Sequence, residues 1–484
     1  RRSAMRVLLV QPDQNRSVGF QQLARVEPLG LEMLAGALLD RHAVELLDLR
    51  LAPDGLAAAL DAVRPALLGI SSSFTIDQPR ALAIARQAKA ADPRTFVVVG
   101  GHHPSLYPAD FTDPAVDAIA VGEGEPTIAA LAEALEAGAD PSSVAGLVLN
   151  REGRQVATPP RPLLPALDAL PLPARGLTRE RQRYYLALAS PIATLETTRG
   201  CPYRCSFCSV WQFYQRRVRY KSPARVVQEL EAVAEPTVLF TDDNFLASPK
   251  RAAEIARLIR ERGLRHEYGM QARSDAIVRY PELLAAWREI GLQSVFIGFE
   301  KPDQGALEGV NKHNSVANNE QALAVLRDLH VEPITSFIVD PGASRDDFAS
   351  LRAYVHRLKL QLPAFTILTP LPGTQLFGEV RGQLTSEDRA LYDLSHAVLP
   401  TRLPSRAFYA EFARLWASAY PAWKVALVRL AFTWRERGRR PDEQEGWRTA
   451  LAEIRRFADP GAYEVALRQS ALTGTVPAEA RTAA

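Results

Sequence analysis

Short apolar runs alternate with amphipathic stretches over the first 140 residues of the chain. The strand candidates are Val7–Val10, Val44–Leu49, Leu67–Ser71, Phe96–Val99 and Ala118–Val121. Helical patterns, such as Leu29–Leu39 and Gln78–Ala91, lie between them. This alternation predicts an α/β fold that begins with a doubly wound, Rossmann-like domain, in which helices cover both faces of a parallel sheet. Ligands of such sheets bind beyond the carboxyl ends of the strands.

The same alternation returns in the middle of the chain. Six strand candidates are Ala193–Thr197, Thr237–Thr241, Glu267–Gln271, Ser294–Phe299, Pro333–Val339 and Ala364–Thr369. Helical patterns between them include Pro223–Ala234 and Lys250–Arg262. Six such units predict a partial (β/α)6 barrel, whose active residues collect at the carboxyl ends of its strands.

Two further segments have a different character. Six prolines lie between residues 159 and 173, which predicts an extended linker without regular ladders. The last hundred residues have helical patterns and no clear strand. We therefore predict a Rossmann-like domain over residues 5–148, a Pro-rich linker over 149–190, a partial barrel over 191–382 and a helical domain over 383–484.

The composition excludes several classes of protein. Hydrophobic residues make up 47% and charged residues 23%, which is typical of globular proteins. The net charge of +3 is too small for a general attraction to nucleic acid. There is no apolar run of membrane-spanning length, and Arg1–Met5 leads directly into a strand pattern without the apolar segment of a secretory or twin-arginine signal. We therefore expect a cytoplasmic protein.

All three cysteines of the chain, Cys201, Cys205 and Cys208, lie within eight residues in the pattern C-x3-C-x2-C. A clustered odd trio is not a disulfide framework, and thiolates suit the soft iron of iron–sulfur clusters. Three cysteines can hold three corners of a cubane, which leaves one iron open to a chelating ligand such as S-adenosylmethionine (SAM). A structural zinc site is the alternative, but it needs a fourth ligand, and no histidine lies within fifty residues.

The segment from Arg199 to Cys208 resembles the signature loop of the radical SAM superfamily. The resemblance implies a [4Fe–4S] cluster that reductively cleaves SAM to a 5′-deoxyadenosyl radical. It extends over the barrel through the blocks at residues 240–245 (F-x-D-[DE]-x-F), 271–275, 296–300 (I-G-[IFL]-E) and 369–374 (T-P-x-P-G-T). The residues that it implies for SAM binding are Tyr203, Phe207, Asp242, Asp243, Gln271, Arg273 and Glu300.

Other interpretations of these blocks remain. A turn or helix cap would explain the adjacent aspartates, and a surface ion pair would explain Arg273. The block at residues 369–374 is given only a positioning role. After Glu300 the family usually continues with Ser-Gly, whereas this chain has Lys301 and Pro302.

An α/β domain in front of such a barrel resembles the cobalamin-binding arrangement of this superfamily. The matching blocks are Glu27–Leu31, Val99–Pro104 and Val121–Glu125. Glycines at strand ends let the backbone approach a ligand closely, and serines at another strand end offer hydroxyls to the corrin tail or phosphate. For the two histidines, a loop pair bonded to backbone is the alternative to corrin contact. The residues implied for cobalamin are Asn15, Ser71, Ser72, Ser73, Gly100, Gly101, His102, His103, Gly122, Glu123 and Gly124.

The chain lacks the D-x-H-x-x-G motif that gives cobalt a lower histidine ligand. Asn15 stands in the matching loop and is no equivalent of an imidazole. We therefore expect cobalamin in a His-off state, with its own base displaced and no histidine on cobalt.

The number of cysteines excludes enzymes that need more than three of them. No cysteine remains for a second cluster or a covalent methylcysteine, whereas a cobalamin carrier needs none. The resemblance therefore implies a cobalamin-dependent radical SAM methyltransferase that moves a methyl group from SAM, by way of methylcobalamin, to an unactivated carbon. The layout is reminiscent of the hopanoid C-3 methylase group, which favours an apolar lipid or secondary metabolite as the substrate.

Two other functions stay open. One is a cobalamin-dependent radical SAM oxidoreductase or cyclase that abstracts hydrogen without methylating, as in the anaerobic magnesium-protoporphyrin ester cyclase group. The other is a non-catalytic iron–sulfur or cobalamin sensor.

The C-terminal helical part carries four of the six tryptophans and a local excess of basic residues. A helical cap packed on the barrel is one interpretation. A lid over an apolar substrate and a surface for an anionic membrane are two others. We predict as partners a small apolar substrate, an electron donor such as flavodoxin or ferredoxin, and a peripheral membrane contact through the C-terminal helices, but no nucleic acid.

Overall fold

The computed structural model of the protein describes residues 4–14, 18–309 and 314–472. Its N-terminal part contains the strands β1 Arg6–Gln11, β2 Ala43–Asp48, β3 Leu67–Ser71, β4 Phe96–Gly100, β5 Ala118–Ala120, β6 Leu147–Arg151 and β7 Arg154–Ala157. They form one sheet in the order β2-β1-β3-β4-β5-β6-β7, in which the first five strands are parallel. The accompanying helices are α1 Leu29–Gly36, α2 Leu56–Val63, α3 Gln78–Ala91, α4 His102–Leu106 and α5 Gly124–Ala137.

The first strand shows why this sheet is covered on both faces. Val7 and Leu9 of β1 are buried in one hydrophobic cluster, and Leu8 and Val10 are buried in another. Successive side chains of a strand point to opposite faces, so an uninterrupted apolar run needs helices on both sides. The predicted doubly wound arrangement is confirmed.

The expectation that residues 149–190 lack regular ladders is wrong for their first part. Strands β6 and β7 form an antiparallel hairpin at the edge of the sheet. Its turn consists of Glu152 and Gly153, both with positive φ, a geometry that matches the twist of paired strands. The prolines begin only at Pro159, after β7 has ended, so they do not interrupt the hairpin.

The barrel consists of six parallel strands in sequential order: β8 Ile192–Leu195, β9 Thr237–Phe240, β10 Glu267–Gln271, β11 Leu292–Glu300, β12 Glu332–Val339 and β13 Leu362–Ile367. Its helices are α6 Val210–Phe213, α7 Pro223–Glu231, α8 Pro249–Arg262, α9 Ser274–Arg279, α10 Pro281–Glu289, α11 Gln304–Gly309, α12 Val316–Asp328, α13 Arg345–Arg357 and α14 Gln375–Val380. Phe240, Tyr268 and Trp287 pack ring against ring in its core. The predicted partial barrel is confirmed.

Four helices follow the barrel: α15 Ser405–Ala419, α16 Ala422–Arg435, α17 Glu445–Phe457 and α18 Pro460–Leu472. Trp416 of α15 packs edge-on against Phe365 of the barrel and stacks on Phe457 of α17, with ring centroids 4.2 Å apart. The C-terminal part is therefore helical, as predicted, and caps one end of the barrel sheet. Among the described residues, no helix has the length and apolar character needed to cross a membrane.

Candidate cofactor sites

The cysteine loop leaves the barrel after β8 and is closed at its base by a short ladder. Thr198–Arg199 pairs antiparallel with Arg219–Tyr220. At Gly200 the backbone φ is 100°, and a Cβ atom there would lie 2.2 Å from the carbonyl oxygen of Arg217. Only glycine fits this position, so the loop between the two ladder strands is held as a closed unit at the carboxyl end of the first barrel strand.

The three cysteines are partly exposed, and none is in a disulfide. Burial raises the pKa of the Cys201 thiol, and it raises the pKa of Cys208 to about 12. Two N–H groups, from Cys208 and the Trp211 indole, donate to the Cys205 carbonyl at 3.1 and 3.0 Å and fix the turn between the last two cysteines.

The donor set fits an iron–sulfur cluster better than a single metal ion. In the part of the chain that the structure describes, no three His, Cys, Asp or Glu side chains converge closely enough to hold one metal. A cubane does not require such convergence, because each thiolate binds a different iron. The arrangement therefore does not present the closed four-ligand site of structural zinc.

Asp242 follows β9 and is buried beneath the start of the cysteine loop. Its carboxylate accepts hydrogen bonds from the Thr197 N–H at 2.6 Å, the Thr198 N–H at 2.9 Å and the Thr197 hydroxyl. Burial raises the pKa of Asp242 to about 6, although these hydrogen bonds oppose the rise. Both carboxylate oxygens accept hydrogen bonds, so Asp242 positions the entry to the cysteine loop, and its contact with SAM stays a prediction.

The neighbouring Asp243, in contrast to the buried Asp242, is exposed. The side chain is accessible and has no ion-pair partner among the described residues. Although the residue is exposed in part, loss of hydration at the carboxyl raises its pKa to about 7, and the nearby Asp242 and Glu196 add to the rise. Asp243 also acts electrostatically on the thiols of Cys201 and Cys208, so it lies beside the cysteine loop. This carboxylate is the one that the structure leaves available to a ligand, and its role in SAM binding stays a prediction.

Arg273 connects the cysteine loop with the end of β10. Its guanidinium lies 3.6 Å from the centroid of the Tyr203 ring and donates to Asp275 at 3.1 Å, while the Tyr203 hydroxyl donates to the same carboxylate at 3.3 Å. The ion pair considered for Arg273 is therefore present and is partly buried. Gln271 is the last residue of β10, and Phe207 is half-buried within the loop.

Glu300 ends β11 with a backbone in the left-handed region, at a φ of 63°. The pairing with β12 is irregular between Gly298 and Glu300, so the strand end bends there. Such backbone is costly for a residue with a Cβ and persists where the surrounding structure enforces it. The next residue, Lys301, is buried, and its Nζ donates to the Ile338 carbonyl at 2.8 Å, a contact that no sequence motif indicated.

A groove of about 170 Å³ lies at the carboxyl ends of β3, β4 and β5, between α1 and α5. A Cβ at Gly101 would lie 2.8 Å from the backbone of Ser72, whereas the space around Gly122 is open. Small residues thus keep the groove clear, which fits the narrow tail of cobalamin. Of the residues predicted for cobalamin, those that line the groove are Ser71, Ser73, Gly100, Gly101, Gly122, Glu123 and Gly124.

The two histidines predicted for cobalamin do not line the groove. His103 is buried, with Thr75 at 3.3 Å and Asp110 at 3.0 Å from its ring nitrogens. His102 lies 2.8 Å from the Ser209 hydroxyl and stacks on Phe213, and burial lowers the pKa of His102 to about 4. Neither histidine lines the groove, and both bond to side chains instead of the backbone partners proposed as the alternative.

Two further predicted residues have different outcomes. The Ser72 hydroxyl is buried and has no hydrogen-bond partner among the described residues, so it stays available for a polar group. Asn15 lies outside the described residues.

Glu123 belongs to an ion network that joins the two domains. Its carboxylate accepts from Arg199 and Arg219, both at 2.8 Å, and Arg199 also donates to Glu125 at 2.5 Å and to Glu196 at 2.7 Å. Burial opposes ionisation, but the two arginines hold the pKa of Glu123 below its usual range. Glu123 therefore fixes the cysteine loop to the first domain, a role that its position in a glycine-rich block did not indicate.

The groove has a wall that the sequence did not reveal. Glu196, Arg199, Phe213 and Tyr214 of the barrel line it opposite the glycines. These residues flank the three cysteines in the chain. One segment therefore borders the groove of the first domain and carries the cysteines of the second.

We expect Asp243→Asn to weaken SAM binding about 10- to 100-fold, because the loss of a charged hydrogen bond costs about 1.5–3 kcal/mol. Iron content should not change, since Asp243 is not one of the thiol ligands. Equilibrium dialysis of SAM against reconstituted protein measures the effect. Asp61→Asn, on the exposed side of α2, is the matched control. Unchanged SAM affinity in Asp243→Asn would reject this assignment.

Two family models match the chain: "B12 binding domain" over residues 21–132 and "Radical SAM superfamily" over residues 195–354. The chain is 34% identical to the hopanoid C-3 methylase of Methylococcus capsulatus over 396 residues, which cover 81% of this chain and 76% of that protein. It is 28% identical to the anaerobic magnesium-protoporphyrin IX monomethyl ester cyclase of Rubrivivax gelatinosus over 407 residues, covering 80% and 72%.

A solved structure has the same fold over nearly its whole length. The radical SAM methyltransferase TsrM from Kitasatospora setae, solved with cobalamin and a [4Fe–4S] cluster bound, superposes with a TM-score of 0.67. The match covers 94% of this chain and 99% of TsrM, at 20% sequence identity. At this identity the likeness establishes the fold.

Proposed function

Because this chain belongs to the cobalamin-dependent radical SAM methylase family, we propose that it attaches a methyl group to an unactivated carbon of an apolar, lipid-like substrate. The family membership inferred from the sequence motifs is confirmed, and so are the cofactors: a [4Fe–4S] cluster, SAM and cobalamin. When bound, the cluster supplies the electron that cleaves SAM, and cobalamin carries the methyl group.

The observation that carries this proposal is the shared segment between the two sites. Cys201, Cys205 and Cys208 would hold the cluster, and the groove at the first sheet would hold the tail of cobalamin. Phe213 and Tyr214, a few residues after the last cysteine, line that groove. A methyl transfer that uses both cofactors requires both of them next to one substrate. The segment that carries the cysteines and lines the groove supports such an arrangement.

The protein's own residues have three tasks in this proposal. Asp242 holds the start of the cysteine loop through Thr197 and Thr198. Asp243 offers a free carboxylate to the positively charged groups of SAM. Arg199 and its carboxylates hold the loop against the first domain.

An apolar substrate is supported by a cleft at the carboxyl ends of the last barrel strands. The cleft has a volume of about 1060 Å³ and reaches Ser206 in the cysteine loop. Its apolar lining includes Ile338, Val339, Phe348, Leu351, Leu368 and Leu376. Charged residues also line the cleft, so its apolar side is the part that would receive a large hydrocarbon body; they are Lys301, Asp303, Asp340, Asp347 and Arg357. The hopanoid C-3 methylase relative makes a hopanoid the first substrate to test.

We also propose the partners that such chemistry requires. Reduction of the cluster needs an electron donor such as flavodoxin or ferredoxin. Free thiols that hold an oxygen-sensitive cluster favour the reducing cytoplasm. An apolar substrate favours a peripheral contact with the membrane in which such molecules dissolve.

Product analysis tests the proposed reaction. Anaerobically reconstituted protein is incubated with SAM, a reductant and a hopanoid, and the products are separated by mass spectrometry. We expect S-adenosylhomocysteine, 5′-deoxyadenosine and a hopanoid in which a methyl group has replaced one hydrogen. Formation of 5′-deoxyadenosine without S-adenosylhomocysteine would instead indicate the oxidoreductase or cyclase that the second relative represents. Neither product from cluster-loaded protein would indicate a sensor.

A further inference from the structure

Helix α16 exposes a continuous apolar stripe. Trp423, Leu427, Leu430 and Trp434 have exposed fractions of 66%, 59%, 68% and 74%. Their spacing of four, three and four residues places them on one side of the helix. Single exposed apolar residues are ordinary in proteins, but four large ones on one helix face mark an interaction surface.

The opposite side of α16 already has a packing partner. Val425 is buried against Trp447 and Leu451 of α17, and Val428 and Phe432 pack on the same cluster. The helix therefore has two apolar sides, of which one stabilises the fold. The four residues of the stripe take no part in this packing, so the fold does not explain why they are apolar.

Arginines lie on the flanks of α16 and just beyond its C-terminal end. Arg429, Arg435, Arg437, Arg439 and Arg440 are all exposed, and Glu436 is the one acidic residue between positions 422 and 440. Arg429 and Arg437 have no ion-pair partner among the described residues. Arg435 and Arg439 share Glu436, and Arg440 pairs with Asp442, so the surface keeps a net positive charge that comes mainly from Arg429 and Arg437.

We propose that α16 lies in the interface of an anionic phospholipid bilayer, with its stripe among the acyl chains and its arginines at the phosphates. Tryptophan favours the membrane interface, and arginine extends its charge to the headgroups from an apolar stem. Anionic headgroups also match the sign of the charge. The choice of a membrane rests in part on the proposed apolar substrate, which would be drawn from the same bilayer.

A second copy of the chain fits this surface poorly. In a twofold interface the same patch would face itself, so the five arginines of each copy would meet like charges at close range. A bilayer surface supplies opposite charges at the rim of the stripe instead. The charge pattern therefore favours lipid over self-association.

Vesicle co-sedimentation of the reconstituted holoenzyme tests the proposal. One set of vesicles contains equal parts phosphatidylglycerol and phosphatidylcholine, and the other contains phosphatidylcholine alone. We expect binding to the anionic vesicles, with Leu427→Ser/Leu430→Ser weakening it by about 100-fold or more. Arg429→Gln/Arg437→Gln should weaken it about 30-fold, because each basic residue near an anionic surface contributes about 1 kcal/mol, which is about fivefold in affinity.

Leu39→Ser is the matched control, since Leu39 is an exposed leucine in the first domain. It should bind like the unsubstituted protein, and every variant should retain normal formation of 5′-deoxyadenosine. Equal binding to both kinds of vesicle, or binding to neither, would overturn the proposal. A dimer that the leucine double variant dissociates, without vesicle binding, would identify the stripe as a subunit interface. Vesicle binding without methyl transfer would refute the proposed function and leave this proposal standing.

Discussion

An alanine at Cys205 is expected to abolish SAM cleavage and leave the fold intact. Three thiolates from one loop are all that the chain offers to a cluster, and no fourth cysteine can substitute. Loss of the middle one removes a ligand from a cluster that already has one iron without a protein ligand. The side chain is only partly buried, so its truncation costs little packing. Assays of 5′-deoxyadenosine should fall to the level of cluster-free protein.

Two further measurements make this result specific. Circular dichroism and the thermal midpoint should be the same for the variant and for the unsubstituted protein when both are metal-free. This comparison separates loss of the cluster site from loss of the fold. Ser206→Ala, in the same loop, should retain a full complement of iron and SAM cleavage. Full turnover by Cys205→Ala would contradict the assignment of the cluster site.

The strands and the barrel could be predicted because their signals are local. Buried parallel strands such as β1 read as uninterrupted apolar runs, and each is followed by a helical pattern. The hairpin of β6 and β7 was missed because β7 is exposed at a sheet edge and carries polar residues, Arg154 and Gln155 among them. An edge strand needs no apolar pattern, so its pairing depends on the neighbour across the turn.

The motifs predicted where the site residues lie, but not which contacts their side chains make. A motif places Asp242 and Asp243 at a strand end, yet their environments differ completely: one carboxylate is covered by the backbone of Thr197 and Thr198, and the other is open. Likewise, the block around Glu123 matched a cofactor-binding pattern, while its carboxylate is engaged by Arg199 and Arg219. The partner of a buried charge lies on a segment far away in the chain. A local sequence motif therefore does not reveal it.

The ion network at Arg199 gives the two cofactor sites a common support. Arg199 stands two residues before Cys201, within the signature of the cysteine loop, and its partners Glu123 and Glu125 stand at the rim of the groove. Buried charges of this kind are costly to keep in place unless every one of them is compensated. The network therefore couples the position of the loop to that of the groove. A substitution of Arg199, at its centre, should affect both sites.

Arg199→Met is accordingly expected to destabilise the protein by about 3–5 kcal/mol, because it leaves the buried Glu125 without its ion-pair partner, whereas Glu123 keeps Arg219. Denaturant unfolding measures this loss, and cobalamin and iron should both be retained less well after desalting. Arg260→Met breaks a surface pair with Glu289 and should leave the unfolding midpoint unchanged.

Charge repair separates the network from simple packing. In Arg199→Met/Glu125→Gln one uncompensated carboxylate is gone, so part of the lost stability should return, although the side chain of Arg199 is equally absent. If the repaired variant were as unstable as Arg199→Met, the loss would come from packing at the loop base and not from charge. If Arg199→Met alone were fully stable and held both cofactors, the two sites would not share this support. We expect the charge to account for most of the loss, because Glu125 is buried and has little water to replace the Arg199 guanidinium.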